Sequence, residues 1–162
     1  MATNRQLRNR ELIDATLLGN VESVDRLLRL GADPNARDGE HGETPLMLTS
    51  NAEIVGLLLR HGADVNATDE RGQTPFLSTG CRLLVDAGAD IDAQDESSET
   101  SLMKAVQNCD ADAIGWLIRI GADVNTRAAD GKSAREIALD YGFVALAELL
   151  GKAGASGDGP KT

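Results

Sequence analysis

Apart from its carboxylates, this chain has four side chains of the kinds most used in nucleophilic, acid–base or metal chemistry: His41, His61, Cys81 and Cys109. A zinc site needs Cys or His ligands at short spacings, and a nucleophile needs a base within hydrogen-bond reach. These four stand 20 or more residues apart, and neither cysteine has a histidine in register with it. His61 closes an apolar run, where a helix C-terminus favours a polar or cationic ring. His41 follows Glu40 in a polar stretch and reads as a loop residue. The string DGKS at 130–133 ends like a phosphate-binding loop, but that motif requires a glycine where Thr126 stands. Asp33, Asp64, Asp90 and Asp123 each follow a Gly-Ala pair, a place where Asp bonds its own backbone, and they lack calcium-loop spacing. No catalytic residue, cofactor or metal is expected, and the chain is read as non-enzymatic.

With no reactive constellation to position, the elements are read for the surface they build. Thr44-Pro45 is a helix start, Thr as N-cap and Pro at the first helical position. The apolar run that follows stops at Gly62, which can take the left-handed conformation that ends a helix. Residues 44–69 thus encode two short helices and an extended turn, a unit too small to bury its own apolar face. Copies surround it. GADPNA (31–36), GADVNA (62–67), GADIDA (88–93) and GADVNT (121–126) recur at intervals of 31, 26 and 33 residues. GETPL from Gly42, GQTPF from Gly72, SETSL from Ser98 and GKSAR from Gly131 open the helix pairs.

These phrases resemble the ankyrin repeat, with its TPLH-type helix start and period of about 33 residues, over residues 5–153. The resemblance implies an all-α fold, a solenoid of stacked helix–turn–helix units with β-turn or hairpin loops. A single domain is expected over 1–153, in repeats at 4–37, 38–68, 69–94, 95–127 and 128–153. Arg10-Glu11 stands where Thr-Pro belongs in repeat 1, as befits an N-terminal cap whose outer face meets water. Repeat 2 is three residues short between its helices. Repeat 3 lacks seven, about 10 Å of helix, so its helices are expected to be two turns or less. Ser98 replaces a turn glycine, which predicts a different backbone there. Arg135 takes a leucine position and is expected to be wet, since burying it unpaired would cost several kcal/mol. Trp116, in another leucine position, is read as core. Residues 154–162 are expected to be a disordered tail.

Composition narrows the function. A net charge of −10 would repel a phosphate backbone, so nucleic acid is not an expected partner. No apolar run approaches the roughly 18–20 residues of a membrane span. The opening residues lack the apolar segment of a secretory signal. Cys81 and Cys109 fall at apolar positions and read as buried free thiols. A cytoplasmic protein, nuclear as an alternative, and a monomer when free are expected.

The resemblance implies that a protein partner docks on the turn tips and on the exposed face of each first helix. The tips place Glu40, His41 and Glu43, then Glu70, Arg71 and Gln73, then Glu96, Ser97 and Glu99 there. The first-helix face carries Met47, Leu77, Met103, Gln107, Asp140 and Tyr141. Asp38, Asp69 and Asp95 read as turn formers. An acidic rim around a small apolar strip suits a basic, or mixed basic and apolar, partner surface. The expected function is protein–protein interaction through a concave face that inhibits or regulates the partner. The chain's size and short second repeat are similar to those of the small ankyrin inhibitors of cyclin-dependent kinases, although it has an extra repeat and a still shorter third. An adaptor that recruits without inhibiting, and an immunity-type inhibitor of a toxin or hydrolase, are the alternatives. The partner is sought first at the indentation expected where repeats 2 and 3 lose helix.

Overall fold

The structure, a computed structural model, describes residues 4–155. Helices dominate because most segments offer an apolar stripe at helical spacing together with a local start and stop signal. The chain divides into two compact units, the first ending at Asp90 and the second beginning at Ile91.

In the first unit α1 (Asn4–Leu17) packs on α2 (Val21–Arg29). A 3-10 turn at Pro45–Leu48 precedes α3 (Ala52–Arg60), and the short α4 (Pro75–Thr79) and α5 (Leu83–Asp86) follow. The core of this unit is aliphatic around one ring: Leu12, Val24, Leu46, Ile54, Leu58 and Leu84 are buried with Phe76. In the second unit α6 (Ser101–Gln107) packs on α7 (Ala111–Arg119) and on α8 (Ala134–Asp140), which pairs with α9 (Val144–Ala155). Leu102, Val106, Ile114, Leu117, Ala138 and Leu150 fill its interior. Among the described residues there is no strand, only an isolated bridge between Arg127 and Ser133.

Starts and stops follow the local chemistry. Asn20, Asn51 and Asp110 cap α2, α3 and α7, each side chain accepting a backbone N–H from the first turn at 2.9–3.3 Å. The glycines at 31, 62, 88 and 121 stand at φ +83° to +95°. The alanine after each donates back into the last helical turn, Ala63 N to Leu58 O at 3.0 Å for example. His61 is the exposed C-cap of α3. The GAD aspartates act on their own backbone: Asp33, Asp64 and Asp123 each accept the N–H two residues on, at 2.9–3.0 Å.

Several expectations need correction. The inner helix of repeat 2 is a single 3-10 turn of four residues, because three residues are missing before the Asn51 cap. Repeat 3, by contrast, matches its expectation, with two helices of less than two turns, of five and four residues. Ser98 does not change the turn; it adopts φ +57°, beside +72° at Gly42 and Gly72 and +82° at Gly131. Cys109 is exposed, since it occupies a left-handed position (φ +54°) just past α6, where the chain turns outward. Trp116, read as core, is only half-buried, whereas Arg135 is exposed as expected. Gly154 and Ala155 belong to α9, and the rest of the expected tail, residues 156–162, lies outside the described residues.

Candidate interaction surface

Each turn tip is built by one aspartate. Asp38 Oδ1 accepts the N–H groups of His41 and Glu43, both at 3.0 Å, while its own N–H donates to Glu43 O at 2.9 Å. Asp69 repeats the arrangement with Arg71 and Gln73 at 2.8 Å, and Asp95 with Ser97 and Glu99 at 2.9 Å. Burial pushes the Asp38 carboxyl up, but the backbone N–H groups of His41, Glu43, Gly42 and Glu40 outweigh it and hold its pKa below the ordinary value. These aspartates are turn formers, as read from the sequence.

Neighbouring tips are joined through the main chain. Glu70 N donates to His41 O at 3.0 Å in the first unit, and Ala129 N to Ser97 O at 2.9 Å in the second. A long side chain ahead of the tip adds a clamp. Arg37 Nη1 donates to both Gly42 O and Thr68 O at 2.7 Å, and Gln94 Nε2 donates to Ser98 O at 2.7 Å and Arg127 O at 3.2 Å. A second set of rungs lies beyond each helix pair. Asn35 Oδ1 accepts Asp64 N at 2.7 Å, Asn66 Oδ1 accepts Asp90 N at 2.9 Å, and in the second unit Asp92 Oδ1 accepts Asp123 N at 2.8 Å. Sequence reading missed both sets; Asn35 and Asn66 at the same place in successive phrases were the available signal.

On this frame, Glu40, Glu70 and Glu96 are exposed, and none forms an ion pair or side-chain hydrogen bond among the described residues. Glu43 is half-buried. His41 is half-buried too, with Arg71 Nη2 3.4 Å from both of its ring nitrogens, so the structure brings these two site residues together. Gln73 is half-buried and Ser97 exposed. Glu99 and Gln107 also meet, Gln107 Nε2 donating to Glu99 Oε1 at 2.6 Å. Asp95 Oδ2 lies 3.0 Å from Lys104 Nζ. Asp140 is exposed and holds Lys132 Nζ at 2.7 Å; that hydrogen bond and the charges of Asp140 and Asp130 raise the Lys132 pKa. Glu136 accepts the N–H and O–H of Ser133 at 2.8 and 2.7 Å, which lowers its pKa, with further help from Arg127. Tyr141 is 56 % exposed.

Met47, Leu77 and Met103 were expected on the exposed face, and all three are buried, at 4 %, 8 % and 1 % exposure. Each is the third residue of its inner element, and a side chain there leans back over the preceding turn. Met47 Sδ even accepts Thr44 N–H at 3.3 Å. Buried in this way, none of the three offers an apolar face to a partner. In the first unit the open surface lies instead beside repeat 1: a groove of about 750 Å³ between α1 and the first tip. Gln6, Arg10, Asp14 and Leu17 line one side, and Arg37 and Glu40 the other. Sequence reading passed over α1 as a cap, although Leu17 and Leu18 at its end were visible.

The repeated turns and helix pairs agree with a comparison to protein families. A family model described as ankyrin repeats (3 copies) matches residues 12–78 and 76–158. The chain belongs to the ankyrin-repeat family. An ankyrin-repeat chain is an all-α protein–protein interaction module, and such modules typically carry no enzymatic activity. No curated protein matches the chain. Among the described residues of this ankyrin-repeat protein, no group of three or more His, Cys, Asp or Glu could hold a metal ion, and no helix is long and apolar enough to cross a membrane.

Proposed function

We propose that the chain binds a protein partner with a basic, or mixed basic and apolar, surface through its turn tips, and that binding inhibits or regulates that partner. The observation that supports this most is the display of Glu40, Glu70 and Glu96 as exposed, unneutralised carboxylates on turns fixed by main-chain hydrogen bonds. A fixed charge needs little ordering on association, so less of the interaction is lost to entropy. Each exposed ion pair adds at most about 1 kcal/mol. The acidic tips therefore act mainly on encounter rate and partner choice, and contact area must supply the rest. Leu17 in the first unit and Tyr141 in the second are apolar surfaces open to a partner.

The test is a pull-down with the native chain and with Glu70→Lys/Glu96→Lys/Glu99→Lys, followed by activity measurement on whatever the native chain captures. The variant is expected to fold and to lose at least tenfold in affinity at low salt, and the captured protein is expected to be less active when bound. Undiminished activity in the complex would make the chain an adaptor. Equal affinity of the two forms at low salt would remove the acidic tips from the reading.

A further inference from the structure

The second unit has a further concavity, formed at the junctions between helices and not by the turn tips. It measures about 470 Å³ and is lined by Cys109, Ala111 and Ile114 at the α6–α7 junction and by residues 142–146 at the α8–α9 junction. No lining residue is charged. Phe143 forms part of the wall, and its ring stacks on Tyr141 with centroids 5.8 Å apart and planes 16° apart. The chain has only four aromatic residues, so half of them meet at this one edge. Tyr141 and Val144 nevertheless stay 56 % and 59 % exposed, so no described residue covers the apolar surface they form.

The local sequence gives up stability to place a ring here. Asn20, Asn51 and Asp110 each cap a second helix with a side-chain oxygen. Phe143 holds the equivalent place before α9 and has no oxygen to offer. Such a cap stabilises a helix start, and α9 goes without it.

The charged residues nearest the groove lining in sequence are all acidic. No Lys or Arg lies within three residues in sequence of any lining residue. Asp110 and Asp112, in sequence beside Cys109 and Ala111, form no ion pair among the described residues. Asp140 is bridged to Lys132, and Glu148 lines a different concavity, so neither contributes to this rim. An apolar floor with an unneutralised acidic border matches a ligand that is apolar at its centre and cationic at its flanks.

We propose that this groove docks a basic amphipathic peptide segment of a partner protein, its aliphatic or aromatic side chains against Phe143 and Val144 and its Lys or Arg beside Asp110 and Asp112. The site is separate from the acidic tips and gives the chain a second contact surface.

Cys109 is exposed at the lip of the groove and Cys81 is buried, so iodoacetamide alkylation of the full chain reports occupancy. The probe is a synthetic 12-residue peptide alternating Lys with Leu or Phe, compared with its Glu-for-Lys counterpart. The Lys peptide is expected to slow Cys109 alkylation at least fivefold at saturation, and the Glu peptide not at all. Val144→Lys and Asp112→Lys, both at exposed positions, should lose the protection with unchanged helical circular dichroism. Glu70→Lys/Glu96→Lys/Glu99→Lys should keep it, which separates this groove from the tips. The proposal is overturned if the Lys peptide gives no slowing, or if protection persists in Val144→Lys. Slowing that grows with protein concentration alone, without peptide, would assign the groove to a second copy of the chain and overturn the proposal equally.

Discussion

Thr44 and Thr74 start successive inner elements, yet their hydroxyls meet different fates. Thr74 Oγ1 accepts Leu77 N–H at 3.2 Å. In the 3-10 turn after Thr44, Met47 N–H goes to Thr44 O at 2.9 Å instead, and Thr44 Oγ1 is buried with no partner among the described residues. Thr74→Val should therefore cost about 1 kcal/mol. Thr44→Val should be neutral or stabilising by up to about 1 kcal/mol, since it removes a desolvated hydroxyl; urea unfolding of the two variants measures the contrast. Ser98 gives a second residue-scale prediction. A left-handed non-glycine residue costs roughly 1–2 kcal/mol, and glycine returns part of that as chain entropy. Ser98→Gly should then raise the stability of the chain by about 0.5–1 kcal/mol in the same assay. The sequence made Asp38, Asp69 and Asp95 legible as turn formers because an Asx turn is closed within a few residues. It misled at Ser98 because the tip hydrogen bonds impose the glycine backbone on a residue that does not favour it.

At the scale of elements, length decides which parts can carry an exposed face. A turn of four residues, as at Pro45–Leu48, or helices of five and four, as α4 and α5, have hardly any internal hydrogen bonds and hold their shape by packing. Pro45, Leu46 and Met47 are all buried for that reason, as are Pro75, Phe76 and Leu77. Hydrogen exchange should accordingly find residues 45–48 and 75–86 less protected than α2 and α7. Slowest exchange at 75–86 would contradict this. The start and stop signals of the helices were legible because caps are local. The burial of Met47, Leu77 and Met103 was not, because it depends on how a side chain leans under a turn. Nor was the aromatic pair at Tyr141 and Phe143, where a missing cap was the only clue.

At the scale of the whole molecule, a net charge of −10 makes the folded chain repel itself. At low ionic strength its melting temperature should rise as pH falls from 8 toward 5.5, nearer the isoelectric point of about 4.6. That gain should vanish in about 0.5 M NaCl, where the screening length is only a few Å. Below about pH 4 the trend reverses. Asp38 and Glu136 have lowered folded pKa values, so their stabilisation is present above the unfolded carboxylate pKa and disappears as pH falls through the folded one. Lys132 is shifted upward, so its contribution is constant over this range and is lost only in strong alkali. Thermal scans across pH at two salt concentrations test all three statements. Reversing Glu70, Glu96 and Glu99 to Lys takes the charge from −10 to −4 and should raise the low-salt melting temperature while weakening binding.

The tips hold their form through Asp side chains, main-chain amides and clamps such as Arg37, whereas the side chains of Glu40, Glu70 and Glu96 make none of those bonds. Scaffold and recognition are thus written in different atoms. A library randomised at these three positions should keep nearly all its members folded, so the same frame can be given a new partner by rewriting a few letters.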